Sequence, residues 1–257
     1  MMTHTVRITN DADLIRSILE GNRTAIGVLM LGNVHQSGAC YEGKWGQGEY
    51  LILEDLHQIA IGLAALYWNG NLVVASWPDQ LFKMITFTRK ITRIEAPLSI
   101  AKLLAKQDII KVKRSLFLDV QNSFSKSYSP PEIPDLSMLE RLSQLRCDFV
   151  LESEGSSDFE KARAYMSSLI EMKTIRIRRN ETGDICAMLS YNATSPTAVL
   201  IGGMFVPQQH RSMGYGKALL AGVLQELADK EFKLVALYRK LGFQDGGQLG
   251  VARLHHI

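Results

Sequence analysis

The spacing of apolar positions changes along the chain between a helical period and a strand-like alternation, which predicts a mixed α/β (α+β) fold. Leucine and isoleucine recur at helical spacing over residues 11–20, whereas Ile175 and Ile177 alternate with arginines. The pattern predicts helices over residues 11–20, 23–31, 78–90, 98–105, 136–145 and 158–171. It predicts strands over residues 91–96, 112–120, 174–179, 185–192 and 199–206.

Residues 42–77 are predicted to form an antiparallel meander, because glycines separate several short apolar runs there. Asn69 and Gly70 stand between two such runs, which is a strong signature of a β-hairpin. We therefore expect a mainly antiparallel central sheet that is flanked by helices. Residues 121–135 are rich in serine and proline and have little periodicity, which is typical of a linker. The prediction is an N-terminal domain over residues 1–120 and a C-terminal domain over residues 136–257.

The apolar run over residues 199–206 ends at Pro207, which has no N–H group for a sheet. A turn with two glycines and then a helix with one apolar face follow, so the helix begins near residues 212–216. The apolar face is formed by Ala218, Leu219, Ala221, Leu224 and Leu227. N–H groups that lack intrahelical partners, together with the helix dipole, favour an anion at such an N-terminus. The prediction requires that the protein's own side chains do not cap these N–H groups.

The residues of this turn are suited to a phosphate or a diphosphate. Gly214 and Gly216 have no Cβ, so the backbone can approach a ligand closely. Arg211 and Lys217 bring positive charge to the same turn. A P-loop nucleotide hydrolase is excluded, because the Gly-x-x-x-x-Gly-Lys-Ser/Thr spacing is absent and Lys217 is followed by Ala218.

The segments RSMGYG, residues 211–216, and ALYRKLGF, residues 236–243, together resemble the GNAT superfamily of N-acetyltransferases. In that family a Gln/Arg-x-x-Gly-x-Gly/Ala turn holds the pyrophosphate of acetyl-CoA, and a later helix carries a tyrosine before Gly-Phe, matched here by Tyr238. The resemblance implies a GNAT fold over residues 136–257. The N-terminal half resembles the degenerate first half of two-part GNAT proteins. It lacks the turn, so we expect it to brace the second half and to line one side of the acceptor pocket without binding acetyl-CoA.

The resemblance implies acetyl transfer from acetyl-CoA to a primary amine of an unidentified small molecule or peptide, by direct attack on the thioester. The backbone of Met204, Phe205 and Val206 would pair with the pantetheine arm and polarise the thioester carbonyl. The pyrophosphate would be held by Arg211, Ser212, Met213, Gly214, Tyr215, Gly216 and Lys217. Tyr238 would protonate the departing thiolate, the other interpretation being a tyrosine of the core. No general base is identified; Glu152 and Glu154 are candidates, but the sequence favours the interpretation that both are surface carboxylates. The alternative function is a non-catalytic acyl-CoA-binding sensor or adaptor.

The sequence departs from the family pattern after the helix that follows the turn. Only residues 231–235 separate the end of this helix, near Lys230, from the segment ALYRKLGF. A strand with a connection at each end needs more residues than that. The strand expected there is therefore either deleted, or absent because a stretch of residues is missing from the sequence; the position of Tyr238 favours the second explanation.

Composition and charge limit the kinds of partner. The net charge is only +3, and the basic residues are dispersed except in two short runs. In the run over residues 175–179 the arginines are predicted to lie on a solvated strand face, so no nucleic-acid partner is expected. Cys40, Cys147 and Cys186 are widely spaced and are interpreted as reduced thiols, without a metal. The sequence has no signal-peptide pattern or membrane span, which predicts a cytoplasmic protein; it leaves the oligomeric state open, a homodimer included.

Overall fold

The computed structural model describes residues 4–20, 22, 24–44, 46–105, 110–119, 129–237 and 243–254. The chain divides into two compact units. The first comprises Met1–Leu118, Ala193–Leu200 and Ala236–Ile257, and the second comprises Asp119–Asn192 and Ile201–Val235. These units interleave along the chain, since its last segment belongs to the first unit. The division into domains at residues 121–135 stays a prediction.

Both helices and strands occur throughout the described parts of the chain. The helices are α1 (Ala12–Leu19), α2 (Ala25–Ser37), α3 (Leu98–Ala105), α4 (Leu139–Glu154), α5 (Phe159–Glu171) and α6 (Tyr215–Asp229). The strands are β1 (Thr5–Thr9), β2 (Gly48–Glu54), β3 (Ala60–Tyr67), β4 (Asn71–Ser76), β5 (Arg93–Pro97), β6 (Ile110–Asp119), β7 (Ile175–Arg179), β8 (Ile185–Thr194), β9 (Ala198–Phe205), β10 (Leu234–Leu237) and β11 (Gln244–Arg253).

In the first unit the strands follow the order β1-β2-β3-β4-β5-β11-β6. All neighbouring pairs in this order are antiparallel except β4 and β5, which are parallel. The predicted hairpin is confirmed: β3 and β4 are joined at Gly70, whose φ of 77° suits a glycine. One face of the sheet forms a core with α3 and the buried Trp77. Burial of this apolar surface is the main force that holds the unit together.

Helix α2 starts where a side chain satisfies one of its free amides. The hydroxyl oxygen of Thr24 accepts a hydrogen bond from the N–H of Gly27 at 3.0 Å. We expect Thr24→Ala to lower the free energy of unfolding by about 1 kcal/mol, because this amide then loses its partner. Denaturant titration of the wild type and the variant measures the difference. Thr24→Ser keeps the hydroxyl and is the matched control, so an equal loss in both variants would contradict the capping role.

In the second unit α4 packs on α5, and together with β7 and β8 these helices enclose an apolar core. β7 and β8 are antiparallel, and the other edge of β7 pairs with Glu132, whose N–H and C=O both bond to Ile177. The strands of this unit follow the order β10-β9-β8-β7, and α6 contacts β7. Both units thus have a mainly antiparallel sheet flanked by helices, so the predicted fold class is confirmed.

Some elements differ from the prediction. β1 and β11 were not expected, and of residues 78–90 only Asp79–Met84 form a short 3-10 helix. α4 extends well beyond residue 145 and ends at Glu154. The prediction of a solvated face for the arginines of β7 is wrong for Arg176, which is 3% exposed. Its charge is tolerated because it forms a buried ion pair, described below.

Candidate functional site

The candidate site begins where β9 leaves regular strand geometry. Gly203 has a φ of 57°, a left-handed conformation that glycine adopts without strain. A Cβ on Gly203 would also lie 2.7 Å from Oγ of Ser190, so a larger residue does not fit. The strand therefore bends one residue before Met204, the first of the three residues predicted to contact the pantetheine arm.

The three residues at the end of β9 have different environments. Met204 is half-buried, and Phe205 is 6% exposed and packs edge-on against Phe149, with 6.0 Å between the ring centroids. The carbonyl oxygen of Val206 accepts a hydrogen bond from Nε of Arg211 at 2.9 Å. The structure thus joins the end of β9 to the start of the glycine turn. Contacts of these residues with a pantetheine arm stay a prediction.

The turn after Pro207 contains two left-handed residues in close succession. Ser212 has a φ of 64° and Gly214 a φ of 82°, and α6 begins directly after Gly214. Turns with left-handed residues direct successive N–H groups to one side, which makes a concavity that binds anions. A Cβ on Gly214 would meet no atom within 4 Å. The residue is therefore glycine because of its backbone angle, and the space in front of it is open.

No described residue caps the amides at the N-terminus of α6. Gly214 is the N-cap residue and makes no side-chain hydrogen bond to the helix. Among the described residues, no acceptor takes a hydrogen bond from the N–H groups of residues 212–217. The sequence prediction required this condition. The amides are therefore available to a ligand.

Gly216 allows the tip of α6 to approach the end of β9. A Cβ at this position would lie 3.0 Å from Cγ2 of Val206 and 3.1 Å from Cε of Met204. These contacts are tighter than ordinary van der Waals distances, so a larger residue would require the side chains of Val206 and Met204 to shift by a few tenths of an ångström. The ring of Tyr215 contacts that of His210 edge-on, at 6.0 Å between the ring centroids. The turn is thus fixed by packing on both sides.

The two cations of the turn are in different states. Lys217 is exposed and has no ion-pair partner within the described ranges. Arg211, in contrast, donates two hydrogen bonds from Nη2 to the carboxylate of Glu152, at 2.7 and 2.6 Å. Its guanidinium also lies 5.7 Å from the centroid of the Phe205 ring. Lys217 therefore offers a free positive charge, whereas the charge of Arg211 is already balanced.

A buried ion pair holds α6 against β7. Arg176 donates to both carboxylate oxygens of Glu226, at 2.7 and 2.6 Å, and Lys230 contacts the same carboxylate at 2.5 Å. Burial alone would raise the pKa of Glu226, but the hydrogen bonds from the two cations hold the pKa below its ordinary value. The sequence analysis did not find this pair, because 50 residues separate its members.

The predicted catalytic residue, Tyr238, lies outside the described residues. The structure does correct the prediction about the segment around it. Strand β10 occupies Leu234–Leu237, so the strand thought to be deleted or missing is present and includes the start of ALYRKLGF. Residues 238–243 separate β10 from β11 in the sequence.

The candidates for a general base lie at the end of α4. Glu152 and Glu154 are both exposed, and Glu152 is engaged by Arg211.

Within the described residues, no group of three or more His, Cys, Asp or Glu side chains is arranged to hold a metal ion. Nor does any helix in the described part of the chain combine the length and the apolar character that a membrane crossing requires.

Comparison with known proteins places this geometry in a family. A model described as the acetyltransferase (GNAT) family matches residues 139–243. An X-ray structure of a Drosophila protein is similar with a TM-score of 0.65 and 12% identity, over 98% of this chain and 99% of that chain. A GNAT acetyltransferase from Colwellia psychrerythraea has a TM-score of 0.52 and 12% identity, over 97% and 98% of the two chains. A tandem GNAT protein from the clavulanic acid biosynthesis pathway has a TM-score of 0.51 and 13% identity, over 98% of each chain.

At such low identities these solved structures show a common fold and no more. No curated protein matches the sequence significantly. The family match covers the end of α4, the bend of β9, the glycine turn and α6, which are the parts that form the candidate site. It supports acetyl transfer in general. Residues 139–243 of this chain therefore match the acetyltransferase (GNAT) family.

Proposed function

We propose that this protein is an acetyl-CoA-dependent N-acetyltransferase, which transfers an acetyl group to a primary amine of a small molecule or a peptide. The observation that carries the proposal is the uncapped N-terminus of α6 behind Gly214, within the domain that matches the family. Acetyl-CoA would supply an activated acetyl thioester. The open amides and the free charge of Lys217 fit its diphosphate, because they offer hydrogen-bond donors and a cation where the helix dipole favours negative charge.

In this proposal the residues of the chain mainly bind, orient and move one proton. The N–H groups of residues 212–217 and the side chains of Arg211 and Lys217 hold the diphosphate. The backbone of Met204, Phe205 and Val206 aligns the thioester and polarises its carbonyl, so that charge developing on oxygen is stabilised. The amine forms a C–N bond as the C–S bond breaks, and Tyr238 gives its phenol proton to the departing sulfur. The group that accepts the proton of the amine is not assigned.

Acetyl-CoA is proposed to bind only to the C-terminal domain, residues 136–257. Residues 1–130 contain no Arg-x-x-Gly-x-Gly turn, so the N-terminal domain lacks the feature that would hold a diphosphate. A location in the cytoplasm remains a prediction, which rests on the sequence pattern and on the interpretation of the three cysteines as reduced thiols. Cys147 and Cys186 are buried and Cys40 is exposed, and all three are free thiols in the structure.

The activity is tested by measuring release of the CoA thiol from acetyl-CoA in the presence of a panel of primary amines. We expect the protein to bind CoA in calorimetry, and to release the thiol at a rate that rises with the concentration of at least one amine. Each turnover should yield one N-acetylated amine for one thiol, which mass spectrometry checks. Binding without amine-dependent release across the panel would favour the non-catalytic acyl-CoA sensor or adaptor. An absence of CoA binding would reject both functions.

A further inference from the structure

Arg211 is held by a carboxylate from a distant helix. Its Nη2 donates to both oxygens of Glu152, although 59 residues separate the two side chains in the sequence. Its Nε donates to the carbonyl oxygen of Val206 at the same time. The guanidinium thus lies between the end of α4 and the glycine turn. This pairing balances the positive charge of Arg211, which directly precedes the open amides of the turn in the sequence.

The end of α4 is an unfavourable place for a carboxylate that has no cation beside it. Glu152 and Glu154 both lie in the last turn, where the helix dipole is negative, and that turn contains no basic residue. Arg211 supplies the missing positive charge from outside the helix. The contact is therefore favourable for α4, independently of any ligand. A carboxylate in this position also opposes the approach of an anion to Arg211.

The pair is accessible to solvent, so it can exchange partners. The side chains of Arg211 and Glu152 are 43% and 49% exposed. Ion pairs with this exposure are weak, because water screens the charges and competes for the hydrogen bonds. A diphosphate carries several negative charges and accepts bidentate hydrogen bonds from a guanidinium. It can therefore replace a single exposed carboxylate as the partner of Arg211.

We propose that Glu152 is an exchangeable counterion of Arg211, which occupies this guanidinium in the free protein and is displaced when a diphosphate binds to the turn at residues 211–217. Glu152 then sets the affinity of the protein for CoA, because each binding event breaks the Arg211–Glu152 pair. The exchange leaves a carboxylate without its cation at the end of α4, where it can attract a positively charged acceptor amine. This inference rests on the proposed function, since it assumes that the turn binds a diphosphate.

The experiment measures the dissociation constants of CoA and of inorganic pyrophosphate by calorimetry for the wild type, Glu152→Gln and Glu140→Gln. Glu152→Gln removes the competing charge and is expected to tighten both ligands by about twofold to fivefold, the range that an exposed ion pair can supply. Glu140→Gln is the matched control. It removes an equal charge from the same helix and breaks another exposed pair, with Arg163 at 2.6 Å, so it should leave both dissociation constants unchanged.

A double-mutant cycle separates exchange from simple repulsion. In the Arg211→Gln background, Glu152→Gln is expected to have no effect on CoA binding, because the guanidinium that the two anions share is gone. An equal tightening in both backgrounds would show long-range repulsion and would overturn the exchange. So would an unchanged or weaker affinity of Glu152→Gln in the native background. If the wild type binds neither ligand, the proposed function fails, whereas binding without an effect of Glu152 leaves that function intact and rejects only the counterion.

Discussion

Gly214→Val is expected to weaken CoA binding by at least about 100-fold. Gly214 has a φ of 82°, and a β-branched residue is strongly disfavoured in this left-handed region. The turn must then change conformation, which moves the N–H groups that precede and begin α6. Hydrogen bonds to charged groups contribute about 1.5–3 kcal/mol each, so the loss of two accounts for a change of this size. Calorimetric titration with CoA measures the effect.

The control for this substitution is Gly183→Val. Gly183 lies in the turn between β7 and β8, has a φ of 88°, and like Gly214 has no atom within 4 Å of a Cβ built on it. The substitution Gly183→Val therefore introduces the same kind of backbone strain in the same unit, away from the amides of α6. We expect Gly183→Val to bind CoA as the wild type does. CoA binding that survives Gly214→Val would remove the diphosphate assignment of the turn.

Tyr238→Phe is expected to lower kcat by about 100-fold at saturating acetyl-CoA, without a change in the dissociation constant of CoA. The substitution removes only the phenol proton, and general acids contribute about 100-fold or more to the rates of such reactions. The measurement combines the thiol-release assay with CoA titration of the same preparation. A thioester analogue whose departing thiol has a lower pKa needs a proton from Tyr238 less. The rate with such an analogue should therefore fall less on Tyr238→Phe than the rate with acetyl-CoA.

Tyr165→Phe is a suitable control for the loss of a phenol. Tyr165 lies on α5, where its ring contacts the guanidinium of Arg146 at 4.7 Å, and it is partly buried against the core of the second unit. Its variant should keep the full rate. Equal rates for Tyr238→Phe and the wild type would leave the GNAT domain in place, but would take proton donation away from Tyr238.

The sequence predicted the part of the site that is local in the chain. The end of β9, Pro207, the glycine turn and the start of α6 lie within about twenty consecutive residues, so periodicity and turn chemistry were sufficient to find them. The ion pairs of this region were not predictable in the same way. Arg211 meets Glu152 and Arg176 meets Glu226 across 59 and 50 residues, and only the packing of α4, β7 and α6 brings them together.

Strands were harder to predict than helices, because a strand depends on partners that are distant in the sequence. β10 was missed because its residues were assigned to a helix by analogy with the family, although Leu234–Leu237 form a short apolar run. β11 contains glycines at positions 246 and 247 and a bulge between Asp245 and Gln248, so its sequence has little alternation. What makes it a strand is the hydrogen bonding offered by β5 and β6 on both of its sides.

The place of β11 between β5 and β6 has a consequence for biosynthesis. A ribosome makes β5 and β6, within residues 93–119, long before it makes β11, within residues 244–253. Until β11 has been made, the edges of β5 and β6 that pair with it have no partner. The sheet of the first unit must therefore be completed after most of the chain has emerged, and its open edges need protection during that interval. A released polypeptide that ends before residue 244 should accordingly be a preferred client of chaperones, whereas the released chain that includes residues 244–253 should not.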